Sequence, residues 1–315
     1  MRHLAAVLTL AALPFHAEAY PTKPIRVVVA LAPGGGVDTT ARITAQRLAE
    51  AWGQQVVVEN RPGAGGTIAT ELVARAAPDG YTLLVHSSGF AITPSLYKLN
   101  YDAVADFAPV TLLVYAPQML VVHPSLPLRS VKELIAFAKA RPGELLWSSS
   151  GNGSPPHLSL QLLLSLTGTK IVHVPYKGTA PGITDLVAGR VAMTAAGAVS
   201  VKPHVEAGRL RALAVLGAKR AQSISELPTM SEAGVPGYAF EVWYAMFAPA
   251  GTPRDVVANL HREISHAFSE PELRPRMLKL GVEPAAEPPE QFAAFVKSEI
   301  VKLGKLVRES GAKVN

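Results

Sequence analysis

The sequence predicts an α/β protein of two domains that meet at a ligand site. Strand-like and helix-like segments alternate along nearly the whole chain, the pattern of a parallel sheet covered by helices. The length of the chain also favours two domains. Without a leader of 19 residues, 296 of the 315 residues remain, and a chain of that length usually forms more than one hydrophobic core. Two stretches repeat one design, an apolar strand, then glycine and small hydroxyls, then a helix start: IRVVVALAPGGGVD (25–38) and LLWSSSGNGS (145–154).

Both of these loops have the composition of an anion site. Glycine permits a positive φ and a close approach of the backbone to a ligand. A helix that starts at such a loop points unpaired N–H groups and a partial positive charge into the same space. Since the two loops lie far apart in the chain, we expect two half-sites that close on one small anion.

The N-terminal half is expected to begin with a strand at 25–31. Asp38 has the side chain of an N-cap for a helix that Gly53 ends. Alternation then continues through the turn Pro78-Asp79-Gly80 to a third strand. The predicted order is strand 25–31, helix 39–52, strand 56–59, helix 68–76 and strand 82–86.

The second half continues the same alternation. Ser130 and Glu133 form a capping box for a helix that runs to Ala140, and Pro155 stands at an early helix position where its missing N–H is harmless. The remaining segments of this series are expected at 145–149, 171–174, 179–188, 191–194, 201–207 and 213–215. The C-terminus is expected to be purely helical, with helices from Thr252-Pro253 to Phe268 and from Pro289 to about Ser310.

Two long apolar segments, 110–122 and 240–248, carry a nearby proline, Pro117 or Pro249, as a kink signal. We expect both to cross between domains. The predicted division is therefore signal peptide 1–19, one domain of 20–117 and 246–315, and another of 118–245.

The first 19 residues indicate a secretory signal peptide. Arg2 and His3 precede an apolar run at 4–13, and Ala17-Glu18-Ala19 is a small-x-small cleavage site. The expected location is a bacterial periplasm, since no later run has the roughly 18 uninterrupted apolar residues of a membrane span.

Charge and cysteine content exclude several functions. The net charge is +6, and the leader carries one base and one acid, so its removal leaves that charge unchanged. Basic residues are scattered, and the densest run, 302–308, shares its helix with Glu299 and Glu309; it predicts a solvated helix face rather than a nucleic-acid surface. The absence of cysteine excludes disulfides, thiolate nucleophiles and cysteine metal sites.

With these residues in view, the chain resembles the Bug-type periplasmic solute-binding proteins of tripartite tricarboxylate transporters. The resemblance covers nearly the whole chain, and its specificity lies in the order of many short motifs. They are PTKPIR (21–26), PGG (33–35), VVENRPGAGG (57–66), APDGYTL (77–83), SGNG (150–153), HVPYKG (173–178), LRALAV (210–215) and FAPAGTP (247–253).

The resemblance implies a two-domain hinged periplasmic binding protein fold (type 2), with the ligand in the cleft between the domains. It also implies a small carboxylate held by backbone amides, small hydroxyls and water, without cofactor or metal. The residues expected to bind it are Pro33, Gly34, Gly35, Gly36, Asp38, Ser87, Ser88, Gly89, Ser149, Ser150, Gly151, Asn152, Lys177, Gly178, Thr179 and Ala196.

Several of these residues also have a structural interpretation. Asp38 suits a helix cap better than an anion contact, and Lys177 can point to solvent. The glycine turn at 63–66 can serve only helix packing. His157 is expected to pack or cap. For Trp243 and Tyr244 hinge packing is favoured over a place in the cleft wall.

One position departs from the family pattern. Relatives commonly carry an acidic residue in the stretch matching 191–200, and here the expected position is Ala196, followed by Gly197. An acid there holds an amine or a hydroxyl of the ligand. Its absence favours a carboxylate with an apolar or bulky remainder over an amino acid.

The predicted function is therefore extracytoplasmic capture of a small carboxylate for uptake through a two-component membrane permease, by a monomer without catalysis. A periplasmic sensor or adaptor with the same fold and site remains an alternative. An α/β enzyme is a weaker one, because the chain has no G-x-S-x-G, G-x-x-x-x-G-K-[ST] or H-E-x-x-H motif and no G-x-G-x-x-G at its first strand.

Overall fold

The computed structural model describes residues 20–176 and 178–313, so the predicted signal peptide and Lys177 lie outside the described residues. None of the described helices has both the length and the apolar character that crossing a membrane requires. In chain order the elements are β1 (Ile25–Val29), α1 (Gly36–Trp52), β2 (Val56–Asn60), α2 (Thr67–Ala74), β3 (Thr82–Ser87), α3 (Gly89–Ile92), β4 (Phe107–Tyr115), β5 (Gln118–Val122), α4 (Val131–Ala140), β6 (Leu146–Ser149), α5 (Pro155–Thr167), β7 (Val172–Pro175), α6 (Thr179–Val187), β8 (Met193–Gly197), α7 (Ala198–Glu206), β9 (Arg211–Val215), β10 (Trp243–Pro249), α8 (Arg254–Phe268), α9 (Leu273–Lys279), β11 (Glu283–Glu287) and α10 (Pro289–Ser310).

The first sheet has the strand order β11-β4-β10-β3-β1-β2. Its β1 pairs in parallel with β2 and β3, and the fully buried Val27 lies opposite Val58 and Leu83. The sheet is nevertheless mixed, because β10 runs antiparallel to β3 and β4, and β11 antiparallel to β4. The parallel pattern predicted from the alternation is confirmed for β1, β2 and β3, whereas the strands of the crossing segments and β11 add antiparallel pairs.

The second sheet has the order β7-β6-β8-β5-β9 and is also mixed. Here β6 is parallel to β7 and β8, whereas β5 runs antiparallel to β8 and β9. Its buried strand residues include Trp147, whose indole N–H donates to the carbonyl of Pro156 at 3.0 Å. The antiparallel strands of both sheets lie on the chain's route: β4 leaves the first sheet, β5 enters the second, and β10 returns.

The predicted crossing segments connect the two sheets. The run 110–122 is split at Ala116-Pro117, so that β4 lies in the first sheet and β5 in the second. The return passes through Phe240 and Val242, and the N–H of Ala116 donates to the carbonyl of Val242 at 2.7 Å, which joins the two crossings side by side. Because β10 starts at Trp243, the first sheet begins three residues before the predicted boundary at 245/246; the domain division itself stays a prediction.

α1 begins earlier than expected. Gly35, with φ −81° and ψ 171°, is its N-cap, so the prediction that Asp38 caps the helix is wrong. Asp38 lies in the first turn, and its carboxylate accepts the N–H of Gly34 at 2.9 Å. An acidic side chain stabilises a helix start from either place, since both face the positive end of the dipole.

The C-terminal region is not purely helical. The helices at 254–268 and 289–310 are confirmed, but α9 and β11 lie between them. β11 has the sequence EPAAE, without the β-branched or aromatic residues that predict a strand. Its pairing comes from tertiary context: β4 offers an edge, and Thr111 donates through Oγ1 to the carbonyl of Glu287 at 2.7 Å.

Two helix-start predictions are confirmed. Ser130 is the N-cap of α4, and its Oγ accepts the N–H of Glu133 at 3.2 Å. The Glu133 carboxylate in turn accepts the N–H of Arg129. Pro155 occupies the first position of α5 behind the N-cap Ser154.

Glu299, on the same helix as the basic run 302–308, is buried. Its carboxylate accepts the indole N–H of Trp243 at 3.2 Å and pairs with the Lys302 ammonium at 3.1 Å. Trp243 is itself fully buried, with its ring edge-on to Phe292 and Phe295. This contact fixes α10 to the start of β10, where the chain re-enters the first sheet.

Replacing Glu299 with leucine is expected to lower the free energy of unfolding by about 2 to 3 kcal/mol, because the buried indole N–H and the Lys302 ammonium lose their acceptor. Glu299→Gln keeps an oxygen for the indole and is expected to lose less. Urea unfolding measures both. Glu309→Leu, on an exposed part of the same helix, is the control and is expected to change stability by less than about 0.5 kcal/mol. Equal effects of the two leucine variants would show that the buried carboxylate does not stabilise the fold.

Candidate functional site

A cavity of about 960 Å³ lies between the two sheets and is lined by loops and helices from both. Several predicted ligand residues are in its lining: Gly35, Gly36, Ser87, Gly89, Ser150, Asn152, Thr179 and Ala196. Others are not part of it: Pro33, Gly34, Asp38, Ser88, Ser149, Gly151 and Gly178. The two glycine–hydroxyl loops singled out in the sequence therefore do meet at one space, although part of each loop supports the lining from behind.

The start of α1 supplies backbone donors on the first-sheet side. The first bond of the helix runs from the N–H of Thr39 to the carbonyl of Gly35, so the N–H groups of Gly36 and Val37 are left without a helical partner. Both residues line the cavity. Together with the helix dipole they form a site for an anionic oxygen.

Asp38 stabilises this helix start from behind. Burial opposes its charge, but hydrogen bonds from Arg42, from the N–H of Gly34 and from Asn60 outweigh burial and lower the pKa of the carboxyl. The carboxylate is thus ionised, occupied by three donors and outside the lining. It supports the loop before the helix, from the first turn and not from the predicted capping position.

Tyr244 faces the same helix start. A Cβ on Gly36 would lie 2.7 Å from the Tyr244 hydroxyl oxygen, so only glycine permits this approach. Burial raises the pKa of Tyr244 to about 12, which keeps the hydroxyl a neutral donor. Trp243 is fully packed and lies outside the lining, whereas Tyr244 lines the cavity, so the preference for packing over a place in the cavity wall is wrong for Tyr244. Period-2 alternation in β10 explains the difference, since adjacent residues point to opposite faces.

The end of β3 adds hydroxyl groups beside α1. Ser87 lines the cavity, and its Oγ accepts the N–H of Gly89 at 3.2 Å. Ser88 is buried outside the lining, and its N–H donates to the carbonyl of Trp243 at 2.8 Å. His86 precedes them, fully buried, with its Nδ1 accepting the N–H of Ser87 at 2.7 Å. Its ring packs against the turn at Gly66, where any Cβ would collide with Nε2.

Stability is expected to fall in mild acid because of His86. Burial lowers the pKa of this imidazole to about 4, whereas in the unfolded chain it returns to its ordinary value of 6.5. The unfolded state therefore binds the proton first, and the stability that neutral His86 contributes is lost as the pH falls from about 6.5 towards 4. By linkage this amounts to about 2 kcal/mol between pH 7 and 5.

Urea unfolding of wild type and His86→Gln at the two pH values checks this expectation. The variant has no titrating group at this place, so its stability is expected to fall by about 2 kcal/mol less between the two pH values. His266→Gln replaces an exposed histidine and should keep the wild-type pH dependence. If His86→Gln also keeps it, another group causes the acid sensitivity.

On the second-sheet side, the loop after β6 shapes the cavity wall. The Ser149 hydroxyl lies 2.5 Å from His173 Nε2 and 3.2 Å from the nitrogen of Gly151, whose N–H it accepts. Its bonding is thus used within the loop, while Ser150 and Asn152 reach the lining. Gly151 has φ +130°, a conformation that favours glycine and turns the chain towards α5.

His157 packs, as predicted. Its Nδ1 accepts the N–H of Gly153 at 3.0 Å, and its ring stacks on His173 with centroids 3.9 Å apart. Burial, with a smaller effect of His173, lowers the pKa of His157 to about 4. The neutral ring supports the loop and does not supply a charge to the cavity.

The starts of three second-sheet helices face the cavity, but they differ in what they offer. At α5 the first two positions are Pro155 and Pro156, so proline rings stand where two N–H donors would be. At α6 the N–H groups of Thr179 and Ala180 are unpaired within the helix, and at α7 those of Val199 and Ser200 are. Amide donors for an anion therefore come from α6 and α7.

Sequence reasoning missed most of the lining that α6 and α7 provide. Ala180, Ile183, Thr184 and Val187 form one stripe of α6, and His204 lines the cavity from α7. The signal was present, because i, i+3, i+4, i+7 spacing marks one face of a helix. It was ambiguous, because a stripe that faces a cavity has the same spacing as one that faces a core.

Ala196 lies at the end of β8, 1% exposed and in the cavity lining. Its side chain is a methyl group, whereas the family pattern led us to expect an acidic residue at this position. Among the described residues that line the cavity, none is Asp, Glu, Lys or Arg. Any selectivity for an anion that these residues provide thus comes from backbone N–H groups, helix dipoles and hydroxyls.

Comparisons with known proteins agree with this architecture. The family model described as "Tripartite tricarboxylate transporter family receptor" matches residues 40–312. Protein BugT of Bordetella pertussis is 38% identical over 309 residues, which cover 96% of this chain and 94% of BugT.

Two solved structures from Rhodopseudomonas palustris are similar along nearly their whole length. Rpa4515, solved with adipate, has a TM-score of 0.83 and 39% identity over 94% of this chain and all of that one. MatC, solved with bound malate, has a TM-score of 0.76 and 33% identity over 91% of this chain and all of that one. These likenesses confirm the predicted fold class of a two-domain α/β binding protein.

Proposed function

Since this chain belongs to the tripartite tricarboxylate transporter receptor family, we propose that it captures an organic carboxylate between its two sheets and delivers it to a membrane permease. The family and its solved relatives are solute-binding receptors rather than enzymes. Adipate and malate in two relatives support a carboxylate as the solute here.

The observation that carries this proposal is the set of helix starts around the cavity. Gly36 and Val37 of α1 face it from the first sheet, and Thr179 and Ala180 of α6 face it from the second. A carboxylate has two oxygens with four acceptor positions, which suits paired N–H groups from both sides. With no acidic side chain among the described lining residues, nothing there repels the anion.

A partner would distinguish the loaded protein from the empty one by the closure of its two halves. A ligand shifts the balance between an open and a closed state only by the affinity that it gains in the closed one. Because α1 and Tyr244 line the cavity from one side and α6 from the other, a carboxylate that bridges them gains contacts as the halves approach. We therefore place recognition by the permease in the closed, loaded state.

Location and partner follow from the same proposal. The leader at 1–19 would send the chain to the periplasm, where a two-component permease of the membrane would receive the solute. A sensor partner is the alternative, and the two differ in what binds the loaded protein. If the partner is a permease, cells that express this protein together with the candidate permease subunits are expected to take up the solute. If the partner is a sensor, the same cells are expected to take up none.

A thermal-shift screen followed by calorimetric titration tests the binding step. The purified protein is unfolded in guanidinium chloride and refolded first, so that no co-purified occupant remains. The panel contains malate, adipate, citrate, octanoate, benzoate, glutamate and glucose. We expect a saturable rise in melting temperature with at least one carboxylate and none with glucose, since ligand at about 100 times its Kd adds about 2.7 kcal/mol. No response to any carboxylate would overturn the proposal.

A further inference from the structure

The cavity continues beyond the helix starts, along one face of α6. Ala180, Ile183 and Val187 all line it, and Thr184 lies between them on the same stripe. Seven residues of α-helix separate the ends of this stripe, which makes it about 10 Å long. The Thr184 hydroxyl donates to the carbonyl of Ala180 at 3.1 Å, so it is bonded within the helix. The stripe therefore offers the ligand a surface that is mainly apolar.

The direction of α6 makes the two ends of this surface electrostatically different. Its first turn carries the unpaired N–H groups of Thr179 and Ala180 and attracts an anion. Its last turn, at Val187, carries the negative end of the dipole, although the carbonyls of residues 184–186 already accept N–H groups from residues 188–190. A ligand that lies along α6 is thus stabilised with its charge at Thr179 and with an uncharged end at Val187.

The neighbouring helix has the same direction. Strands β7, β8 and β9 are mutually parallel through their pairings with β6 and β5, and both crossovers move the same way along the sheet. Right-handed crossovers then place α6 and α7 side by side on one face, and the two helices are in contact. Ser200 lies near the start of α7 and His204 lies near its end, so the charged and uncharged ends of the cavity coincide for both helices.

We propose that the carboxylate taken up by this cavity is amphipathic: its anionic end lies at the helix starts and an uncharged apolar arm, about 10 Å long, lies along α6 to Val187. This rests on the proposed function and specifies the chemical class of its solute. Ala196 agrees with it, because this residue of the lining has no carboxylate. A second carboxylate on the arm would meet the negative end of α6.

Titration calorimetry with matched chains tests the arm. Butyrate, hexanoate and octanoate lengthen one apolar arm, and succinate, adipate and suberate carry a second carboxylate at the far end of equally long chains. We expect affinity to rise about three- to fourfold for each added methylene in the first series. Octanoate is expected to bind at least about tenfold more tightly than suberate.

A pair of variants locates the arm. Val187→Asn puts an amide at the end of the stripe and is expected to weaken octanoate about tenfold while leaving butyrate within about twofold, because only the longer arm meets the unpaired amide. Ala188→Asn introduces the same side chain at the next, exposed position outside the lining and should change neither.

Three results would overturn the inference alone and leave carboxylate capture standing. They are a dicarboxylate series that binds more tightly than the monocarboxylates, affinity that is independent of arm length, and equal effects of Val187→Asn and Ala188→Asn. Failure of every carboxylate in both series would also overturn the inference, and the proposed function falls with it only if the other carboxylates of the thermal-shift panel fail too.

Discussion

Gly35→Val is expected to weaken carboxylate binding at least about 100-fold while the protein stays folded. Gly35 is the N-cap of α1, and its backbone angles, φ −81° and ψ 171°, are open to any residue. A Cβ there meets only the carbonyl oxygen of Ala32, at 3.8 Å, so nothing in the fold resists it. The added isopropyl group instead stands in the cavity that Gly35 lines.

The size of this effect follows from the donors that the valine covers. The unpaired N–H groups of Gly36 and Val37 follow this position in the chain, and each hydrogen bond to a charged group is worth about 1.5 to 3 kcal/mol. Loss of both corresponds to at least about 3 kcal/mol, which is roughly two powers of ten in Kd. Folding loses little, because the N-cap geometry is unchanged.

Calorimetric titration with the tightest carboxylate of the panel measures the loss, and thermal melting in the absence of ligand checks the fold. Gly35→Ala adds a single methyl group and should give an intermediate affinity. Ala51→Val adds apolar volume at an exposed position near the other end of α1, and should bind like wild type. Binding by Gly35→Val within about threefold of wild type would place the anion away from α1.

Much of the architecture was predictable because local patterns and the final fold agree. The runs at 25–31, 56–59 and 82–86 became β1, β2 and β3, and the parallel pairing among them follows from the helices between. Pro117 marked the place where the chain leaves the first sheet, since proline has no N–H with which to continue a ladder. Each of these signals involves residues only a few positions apart, so it can be recognised in a single sequence.

What escaped prediction depends on partners that are distant in the chain. The strand β11 exists because β4 presents an edge to it, and no residue of EPAAE favours a strand. Glu299 is buried because Trp243 gives its carboxylate an N–H donor. In each case the deciding contact joins positions far apart in sequence.

The candidate site likewise has a part that was predictable from local sequence and a part that depends on distant contacts. Its loops were predictable, because glycine and hydroxyl residues at strand ends are local features. Tyr244 was assigned to the hinge because its approach to Gly36 arises only when β10 lies beside the first sheet's other strands. The stripe of α6 was visible in the spacing, but only the fold shows that it faces a cavity and not a core.

Ala196→Asp is expected to weaken carboxylate binding by about 100-fold. The side chain at this position is 1% exposed and borders the cavity, so an introduced carboxylate stays near the ligand and little screened by solvent. Two like charges about 5 Å apart repel by about 3 kcal/mol at an effective dielectric constant near 20. The new carboxylate also competes for the unpaired N–H groups of Val199 and Ser200 at the start of α7.

Ala196→Asn separates charge from size, because asparagine has nearly the shape of aspartate without its charge. We expect Ala196→Asn to keep most of the affinity that Ala196→Asp loses, as measured by calorimetry on protein whose fold thermal melting has verified. The introduced acid should in turn pair with an ammonium group, so glutamate is expected to lose less affinity than a carboxylate without an amine. Equal losses for the two variants would mean that volume and not charge limits this corner of the cavity. Wild-type affinity in both would mean that the solute never approaches Ala196, and the cavity would then bind its anion from the α1 side alone.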